Sequence, residues 1–337
     1  PMVPADDKVH VWFLDTVHPA LQEALTQAGH ICHDATTLSR EALLRHAGSA
    51  DAKPIHGVVL RSRIRFDEQM LRALPDLRWI ARSGSGLENI DLEVASDLGI
   101  AVHSSPEGNR DAVGEHTLGM LLAVLHKLRL GDQSIRARRW EREAHRGREL
   151  KSLTVGIMGY GHMGYAFAER LAGMGCRVLA YDKHKEGWGE SPVVGAPLPH
   201  VEAVGWTTFC RDVDVVSLHL PWTDETRGLV DDGWLSQFAK PVILINTARG
   251  PIVSTRALLN ALDDGRVTDV CLDVLEHEGR SLESLEGLAD PEMAKAFERL
   301  LEHPRVLLSP HVAGWTEESL VKLSTVLADK ILCASAR

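Results

Sequence analysis

The chain has 337 residues, of which 44% are hydrophobic, and a formal net charge of −10. This length suits two domains rather than one core, and the composition is that of an ordinary globular protein. The negative charge argues against a dedicated nucleic-acid-binding protein, because phosphate contacts need a basic surface. The most apolar helical segment, TLGMLLAVL at 117–125, is about half of the ~20 residues that span a bilayer, so we expect no membrane association.

Two further features predict a cytoplasmic protein. The first residues, PMVPADDKVHVWFL, lack a basic head followed by a long apolar stretch, so they do not resemble a secretory signal. The cysteines are scattered, odd in number and never spaced as CxxC, which is typical of reduced thiols. They are Cys32, Cys176, Cys210, Cys271 and Cys333.

In the first third of the chain, short β-rich segments alternate with amphipathic helical segments. The predicted strands are residues 8–14, 57–62, 77–83 and 100–105. This alternation indicates a parallel sheet that is covered by helices. A long helix rich in Leu, Met and Ala is predicted next, from Asn109 to about Arg129.

A second series of strands and helices fills the rest of the chain. Its predicted strands are residues 153–159, 177–182, 213–220, 241–247, 267–274 and 305–310, and an amphipathic helix is predicted at 316–332. The sequence therefore predicts an α/β protein with two doubly wound parallel-sheet domains, joined near 104–108 and again near 310.

Two conspicuous patterns are given no special function. Six arginines lie between residues 136 and 148, interleaved with Glu141 and Glu143, which is typical of a solvated surface with local ion pairs. The segment GHICH at 29–33 contains metal-ligand residue types. Two histidines and a cysteine on one strand rarely complete a metal site, so we predict none.

The segment GYGHMG at 159–164 follows a predicted strand and opens a predicted helix. Gly159 permits a tight turn, Gly161 lets the backbone approach a pyrophosphate, and Gly164 lets helix and strand pack closely. The N-terminus of such a helix offers N–H groups and a partial positive charge to the pyrophosphate.

The next predicted strand ends in Asp182, 23 residues after Gly159 and near the ~20-residue offset of a ribose-binding acid. Its carboxylate would accept hydrogen bonds from the ribose hydroxyls and repel a 2′-phosphate. This pattern favours NAD over NADP as the cofactor. Lys183, His184 and Lys185 follow directly and weaken that preference.

Ligands of open α/β sheets bind at the carboxyl ends of the strands. In this chain those ends carry His219, the segment 246–250, Asp273 with Glu278 five residues later, and His311. They bring a guanidinium, two carboxylates and two imidazoles to one edge.

Hydride transfer to or from a 2-oxo or 2-hydroxy acid needs three of these groups. A cation grips the carboxylate and polarises the C2 oxygen, and a group that titrates near neutrality exchanges a proton with that oxygen. A carboxylate then fixes the tautomer of the imidazole and stabilises its charged form. Arg249, His311 and Glu278 fit these roles, although Arg249 could instead pair with a core carboxylate and Glu278 could lie on the surface.

The chain resembles the NAD-dependent D-2-hydroxyacid dehydrogenase family, and within it most closely the members that oxidise D-3-phosphoglycerate. The resemblance runs through RSGSGLENID (82–91), NRDAVGEH (109–116), TVGIMGYGHMG (154–164), LHLPWTDETRGL (218–229), INTARG (245–250), LDVLEHE (272–278) and SPHVAG (309–314). It implies that Arg249, Glu278 and His311 are catalytic. With the residues above, it assigns cofactor binding to Gly159, Gly161, His162, Met163, Gly164, Asp182, His219, Thr247, Ala248, Asp273 and Gly314.

The resemblance also implies the division of labour between domains. Residues 1–104 plus 311–337 would form the substrate domain, and residues 105–310 would form a Rossmann domain that binds NAD. The first domain would be flavodoxin-like, and a homodimer would be built on the helix at 109–129. The amides around Ser83 and Gly84 would cradle the substrate carboxylate.

Arg61 and Arg63 end a predicted strand two positions apart, so their side chains are expected to project to the same side. They resemble the phosphate-contacting arginines of phosphoglycerate dehydrogenases. The structural alternative is that both are solvated or paired with acids such as Asp67 or Glu68.

The sequence departs from the family pattern in three places. Gly279 replaces a proline that usually follows the catalytic glutamate, and Ser152-Leu153 replaces a common glycine-lysine pair. Trp315 stands where many members have a small residue, and it could narrow the pocket. No regulatory domain is expected after the closing helix.

The expected function is NAD-dependent interconversion of a D-2-hydroxyacid and its 2-oxo acid, with D-3-phosphoglycerate and 3-phosphohydroxypyruvate as the first substrate pair. Three alternatives stay open: a hydroxypyruvate or glyoxylate reductase, a non-catalytic NAD(H)-sensing protein that binds a partner, and a relative of formate dehydrogenase. The last resemblance places a glutamine opposite the histidine, where this chain has Glu278.

Overall fold

The computed structural model describes residues 8–49, 53–184, 197–278 and 290–335. Within these ranges the chain divides into two compact units. The first contains the described residues up to Asn109 and again from Trp315, and the second contains those from Arg110 to Gly314. The divisions fall a few residues after the predicted junctions near 104–108 and 310.

The described strands are His10–Phe13 (β1), Ile31–Asp34 (β2), Gly57–Leu60 (β3), Trp79–Arg82 (β4), Ala101–Ser104 (β5), Thr154–Met158 (β6), Arg177–Tyr181 (β7), Val201–Ala203 (β8), Val215–Leu218 (β9), Val242–Asn246 (β10), Val267–Leu272 (β11) and Val306–Leu308 (β12). The described helices are Pro19–Gln27 (α1), Arg40–Ala47 (α2), Glu68–Arg72 (α3), Leu92–Asp97 (α4), Pro106–Leu125 (α5), Leu128–Arg136 (α6), His162–Leu171 (α7), Trp206–Asp212 (α8), Asp232–Leu235 (α9), Thr255–Asp263 (α10), Pro291–Glu302 (α11) and Glu317–Ser335 (α12).

Each unit is built on one parallel sheet. Among the described residues, the first unit has five strands in the order β2-β1-β3-β4-β5, and the second has seven in the order β12-β11-β10-β9-β6-β7-β8. Counted from its own first strand, the first order is the flavodoxin-like 2-1-3-4-5, and the second contains the Rossmann order 3-2-1-4-5-6. The predicted fold class is confirmed.

Burial explains which strands could be predicted from the sequence. Every residue of β3, β9 and β10 is buried, because helices cover both faces of a parallel sheet and select continuous apolar runs. The edge strand β8 of the second sheet was not predicted, and the edge strand β2 of the first sheet was absent from the predicted alternation, although GHICH at 29–33 was placed on one strand. Both carry exposed polar residues, so their sequences lack that apolar signal.

The predicted long helix is two helices. The first, α5, ends at Leu125, and α6 begins at Leu128 after Lys127, whose φ of 52° interrupts the helical path. The basic segment that follows forms surface ion pairs, including Arg136 with Asp132 at 2.7 Å. Within the described ranges no helix has the length and apolar character needed to cross a membrane.

Candidate functional site

The glycine-rich turn after β6 has the geometry of a phosphate-binding turn. Gly159 has a φ of 90°, and a Cβ added there would lie 2.5 Å from the backbone oxygen of His219. A Cβ on Gly164 would lie 2.1 Å from the backbone oxygen of Gly159, whereas a Cβ on Gly161 would meet no atom within 4 Å. Two glycines are therefore required by packing, and the third borders open space.

The helix that follows this turn offers its N-terminus to a ligand. Helix α7 begins at His162 with Gly161 as its N-cap, and no side chain caps it. Met163 is the second residue of the helix and is half-buried. A helix N-terminus without a side-chain cap leaves backbone N–H groups for an anion.

Asp182, directly after β7, is bonded to the glycine turn. Its Oδ2 accepts a hydrogen bond from the backbone N–H of Tyr160 at 2.9 Å, and its Oδ1 accepts one from the N–H of His184 at 3.1 Å. The adjacent Lys183 forms an ion pair with Glu225. Lys185, which was predicted to weaken the preference for NAD, lies outside the described residues.

His311 and Glu278 form a bonded pair at the carboxyl edge of the second sheet. His311 Nδ1 and Glu278 Oε2 are 2.8 Å apart, and the two side chains are 22% and 13% exposed. The backbone N–H of Leu275 donates to Glu278 Oε1 at 3.1 Å and holds the carboxylate. Since a carboxylate accepts hydrogen bonds, Nδ1 carries the proton and Nε2 is the ring nitrogen left for a ligand.

Asp273 shapes the turn that carries His311. Its Oδ1 accepts hydrogen bonds from Ser309 Oγ at 2.6 Å and from the N–H of Val312 at 2.9 Å, and its Oδ2 accepts from the N–H of Ala313 at 2.8 Å. The His311 backbone, with a φ of 54°, donates to the Asp273 carbonyl at 2.7 Å. The predicted cofactor contact at Asp273 is thus a side chain that is 1% exposed and bonded within the protein.

The turn after β10 presents Arg249. Asn246 is fully buried, its Oδ1 accepts from the N–H of Ala248 at 3.0 Å, and its Nδ2 donates to the Arg249 carbonyl at 2.9 Å. Thr247 Oγ1 lies 3.0 Å from Thr117 Oγ1, and Arg249 Nη1 donates to the carbonyl of Ala248 at 2.7 Å. Asn246 was not singled out as a functional residue, although its place beside Arg249 in NTARG was a usable signal.

His219 lies directly after β9, against the glycine turn. Its Nε2 is 2.9 Å from Ser217 Oγ, and its ring stacks at a tilt on Phe167 with centroids 5.6 Å apart. Nδ1 is buried and has no partner among the described residues. Burial lowers the pKa of His219 to about 3, so the ring is neutral. Gly314, the last predicted cofactor residue, ends the second unit.

In the first unit the two arginines after β3 have different surroundings. The strand ends at Leu60, so the strand alternation that predicted a shared direction does not extend to them. Arg63 donates from Nε to Asp15 Oδ1 at 3.0 Å, from Nη1 to the Leu38 carbonyl at 2.7 Å, and from Nη2 to the Leu14 carbonyl. Arg63 is therefore a structural residue, and we do not retain it as a phosphate ligand.

Arg61 is held by its backbone and stacked through its side chain. Its N–H donates to Asp15 Oδ2 at 2.6 Å, and its carbonyl accepts from Asn89 Nδ2 at 3.2 Å. The guanidinium carbon lies 4.2 Å from the ring centroid of Trp315, which is 47% exposed. This distance is that of a cation–π contact.

The predicted carboxylate cradle at Ser83 and Gly84 is occupied by the protein itself. The Ser83 N–H donates to the Leu60 carbonyl at 2.9 Å, and the Gly84 N–H donates to Ser105 Oγ at 3.3 Å. The next two amides, at Ser85 and Gly86, have no hydrogen bond to the described residues.

The second unit therefore fits a dinucleotide. It has a glycine turn with open space at Gly161, an uncapped helix N-terminus, and an acid at the end of the next strand, as pyrophosphate and ribose require. In the described part of the chain, no group of three or more His, Cys, Asp or Glu side chains could hold a metal ion.

Residues 118–313 match the family model for the D-isomer specific 2-hydroxyacid dehydrogenase, NAD binding domain. The chain belongs to this family of NAD-dependent 2-hydroxyacid dehydrogenases, as the sequence predicted.

Individual relatives carry two kinds of name. The chain is similar to the D-3-phosphoglycerate dehydrogenase of Archaeoglobus fulgidus, with 32% identity over 88% of this chain and 52% of that protein. It is similar to the glyoxylate reductase of Thermofilum pendens, with 32% identity over 87% of this chain and 81% of that protein. Its fold matches a glyoxylate reductase from Paecilomyes thermophila with a TM-score of 0.82, 24% identity, and coverage of 97% and 95% of the two chains. The chain spans about half the length of the phosphoglycerate dehydrogenases it matches.

Proposed function

We propose that the chain catalyses hydride transfer between NAD and C2 of a D-2-hydroxyacid or its 2-oxo acid, with D-3-phosphoglycerate and 3-phosphohydroxypyruvate as the substrate pair. The observation that carries the reaction is the His311–Glu278 pair, 2.8 Å apart at the carboxyl edge of the dinucleotide-binding sheet. When bound, NAD supplies the hydride acceptor, and NADH supplies the donor.

In oxidation, His311 Nε2 would accept the proton of the C2 hydroxyl. The imidazolium so formed keeps its bond to Glu278, whose opposite charge stabilises it. In reduction the same nitrogen would donate a proton to the C2 oxygen. Arg249 would bind the substrate carboxylate and polarise the C2 oxygen, because a guanidinium holds its charge at every physiological pH.

Besides Arg249, backbone amides were predicted to bind the substrate carboxylate, and we place this amide site two residues further along the chain. Because the N–H groups of Ser83 and Gly84 are already bonded, we assign this role to the amides of Ser85 and Gly86. Two adjacent backbone N–H groups without partners form a suitable anion site.

The phosphorylated substrate depends on Arg61. Its guanidinium, whose carbon lies 4.2 Å from the Trp315 ring centroid, would pair with the distal phosphate. Arg61→Ala should then raise KM about ten- to a hundredfold for 3-phosphoglycerate and leave KM for glyoxylate, which has no distal anion, nearly unchanged. Arg65→Ala is the matched control, since Arg65 has no ion pair or hydrogen bond with the described residues.

A specific observation favours a second candidate. Arg63 is paired with Asp15, so it does not supply the second guanidinium of the predicted phosphate-binding pair. Reduction of hydroxypyruvate or glyoxylate would need neither. Steady-state rates with 3-phosphoglycerate, hydroxypyruvate, glyoxylate and D-lactate, followed by NADH absorbance, separate the two. Activity confined to unphosphorylated acids would move the assignment to the reductase.

Exposed apolar side chains support the predicted homodimer. Leu128 and Ile135 on α6, and Trp140 just after it, are 59%, 52% and 80% exposed. Large apolar groups that face solvent together usually mark an interface. We propose that a second copy covers them, next to the predicted interface helix at 109–129. Light scattering on the purified protein should give twice the chain mass, and Trp140→Glu should shift it to the monomer.

A further inference from the structure

The loop after β9 is internally braced. Thr226 is 8% exposed, and its Oγ1 donates to the Pro221 carbonyl at 2.6 Å. The same Thr226 Oγ1 accepts a hydrogen bond from the N–H of Thr223 at 2.9 Å. These bonds hold residues 221–226 in one conformation. The neighbouring Glu225, which is exposed, is therefore presented from a fixed backbone.

Glu225 forms an ion pair with Lys183, the residue that follows Asp182. The arginine of the same loop, Arg227, is also engaged, because its guanidinium carbon lies 4.9 Å from the ring centroid of Trp222. Among the described residues, Lys183 after β7 and Arg227 in the loop after β9 thus each have a partner in the protein. The exposed fractions of Lys183 and Glu225 are 40% and 66%, so their pair contributes little to folding.

We propose that Glu225 is a cofactor-specificity residue, which acts with Asp182 to exclude NADP. An NADP 2′-phosphate carries close to two negative charges and is normally recognised by Arg or Lys near the end of the second strand. Lys183 is the described cation in that position. Glu225 neutralises it and adds a negative charge beside the carboxylate that binds ribose. NAD has no charge at the 2′ position, so it meets no such penalty.

The test is a set of binding measurements on the full chain without any 2-oxo acid. Dissociation constants for NADH, NADPH, ADP and 2′,5′-ADP are measured by calorimetry for the wild type and for Glu225→Gln. We expect Glu225→Gln to strengthen NADPH and 2′,5′-ADP binding about two- to fivefold, the range for an exposed ion pair. NADH and ADP binding should stay within error of the wild type.

Two further variants separate the ion pair from a simple change of net charge. Asp224→Asn removes the same charge from the adjacent position of the same loop, and we expect it to change NADPH affinity by less than half as much. Lys183→Met added to Glu225→Gln should abolish the gain. Equal effects of Asp224→Asn and Glu225→Gln, or a gain that survives Lys183→Met, would overturn the proposal, as would no gain at all.

This inference rests on NAD binding by the family and not on the substrate assignment. Because binding is measured without a 2-oxo acid, failure here leaves the proposed reaction unaffected. If instead the proposed reaction fails in the substrate assays, the binding ratios still test Glu225.

Discussion

The turn after β12 and the turn after β3 both place a basic side chain beyond the end of a short strand, but they use it differently. In the second unit, His311 bonds to Glu278 through Nδ1, and its Nε2 has no partner among the described residues. In the first unit, Arg63 donates hydrogen bonds from three guanidinium nitrogens to Asp15 and to two backbone carbonyls. The first arrangement orients the His311 ring for a ligand, and the second uses Arg63 to join separate segments of the first unit. A basic residue at a strand end is functional only when its polar atoms are left for something else.

The largest expected effect comes from replacing His311 in the turn after β12. His311→Asn should lower kcat by about 10²–10⁴, the usual contribution of a general base, while NADH binding is retained. Rates by NADH absorbance and affinity by calorimetry give the two readouts. His126→Asn serves as a matched control, since that histidine is exposed. A variant with near-normal kcat would remove His311 from the reaction.

Replacing Arg63 in the turn after β3 should instead lower stability and leave substrate selectivity unchanged. Arg63→Ala removes three hydrogen bonds and leaves Asp15, which is 9% exposed, without its ion pair. Loss of one charge-assisted hydrogen bond costs about 1.5–3 kcal/mol, so urea unfolding should show at least that decrease. The ratio of kcat/KM between phosphorylated and unphosphorylated acids should stay constant. A selective loss with phosphorylated acids at unchanged stability would return Arg63 to the substrate site.

The glycine turn allows the same separation within one motif. Gly161→Ala should leave the free energy of unfolding almost unchanged, because its Cβ meets nothing within 4 Å. It should nevertheless weaken NADH binding, since the methyl group occupies the space that the pyrophosphate needs. Gly164→Ala should lower both stability and binding, because its Cβ would lie 2.1 Å from a backbone oxygen. Parallel unfolding and calorimetry experiments check this, and identical behaviour of the two variants would contradict it.

The predictions from sequence succeeded where the backbone determines the outcome. Continuous apolar runs revealed the strands β3, β9 and β10, and the spacing of Gly159, Gly161 and Gly164 predicted the turn that joins β6 to α7. The sequence could not reveal contacts between segments that are distant along the chain. The role of Arg63 depends on Asp15, 48 residues away, and the residues next to Arg63 in the sequence do not indicate that partner. Likewise, the amides of Ser83 and Gly84 looked available because their acceptors lie in other segments.

The smallest effect concerns pH. Burial lowers the pKa of His219 to about 3, whereas the unfolded chain binds a proton near 6.5. Between these values the unfolded state holds more protons, so stability should fall as pH drops below 6.5, by at most about 1.4 kcal/mol per pH unit. Urea unfolding of the wild type and His219→Gln at pH 7, 6 and 5 measures the difference. Parallel pH profiles for the two proteins would show that folding does not lower the pKa of His219.

The central claim is that the second unit's site performs stereospecific hydride transfer with proton exchange at His311. The most direct measurement is NADH formation from NAD with paired enantiomers, namely D- and L-lactate and D- and L-glycerate, for the wild type and His311→Asn. We predict NADH formation by the wild type with the D-enantiomers alone, and its loss in the variant. Tight NADH binding without turnover of any 2-hydroxy or 2-oxo acid would contradict the account and favour an NAD(H)-sensing protein.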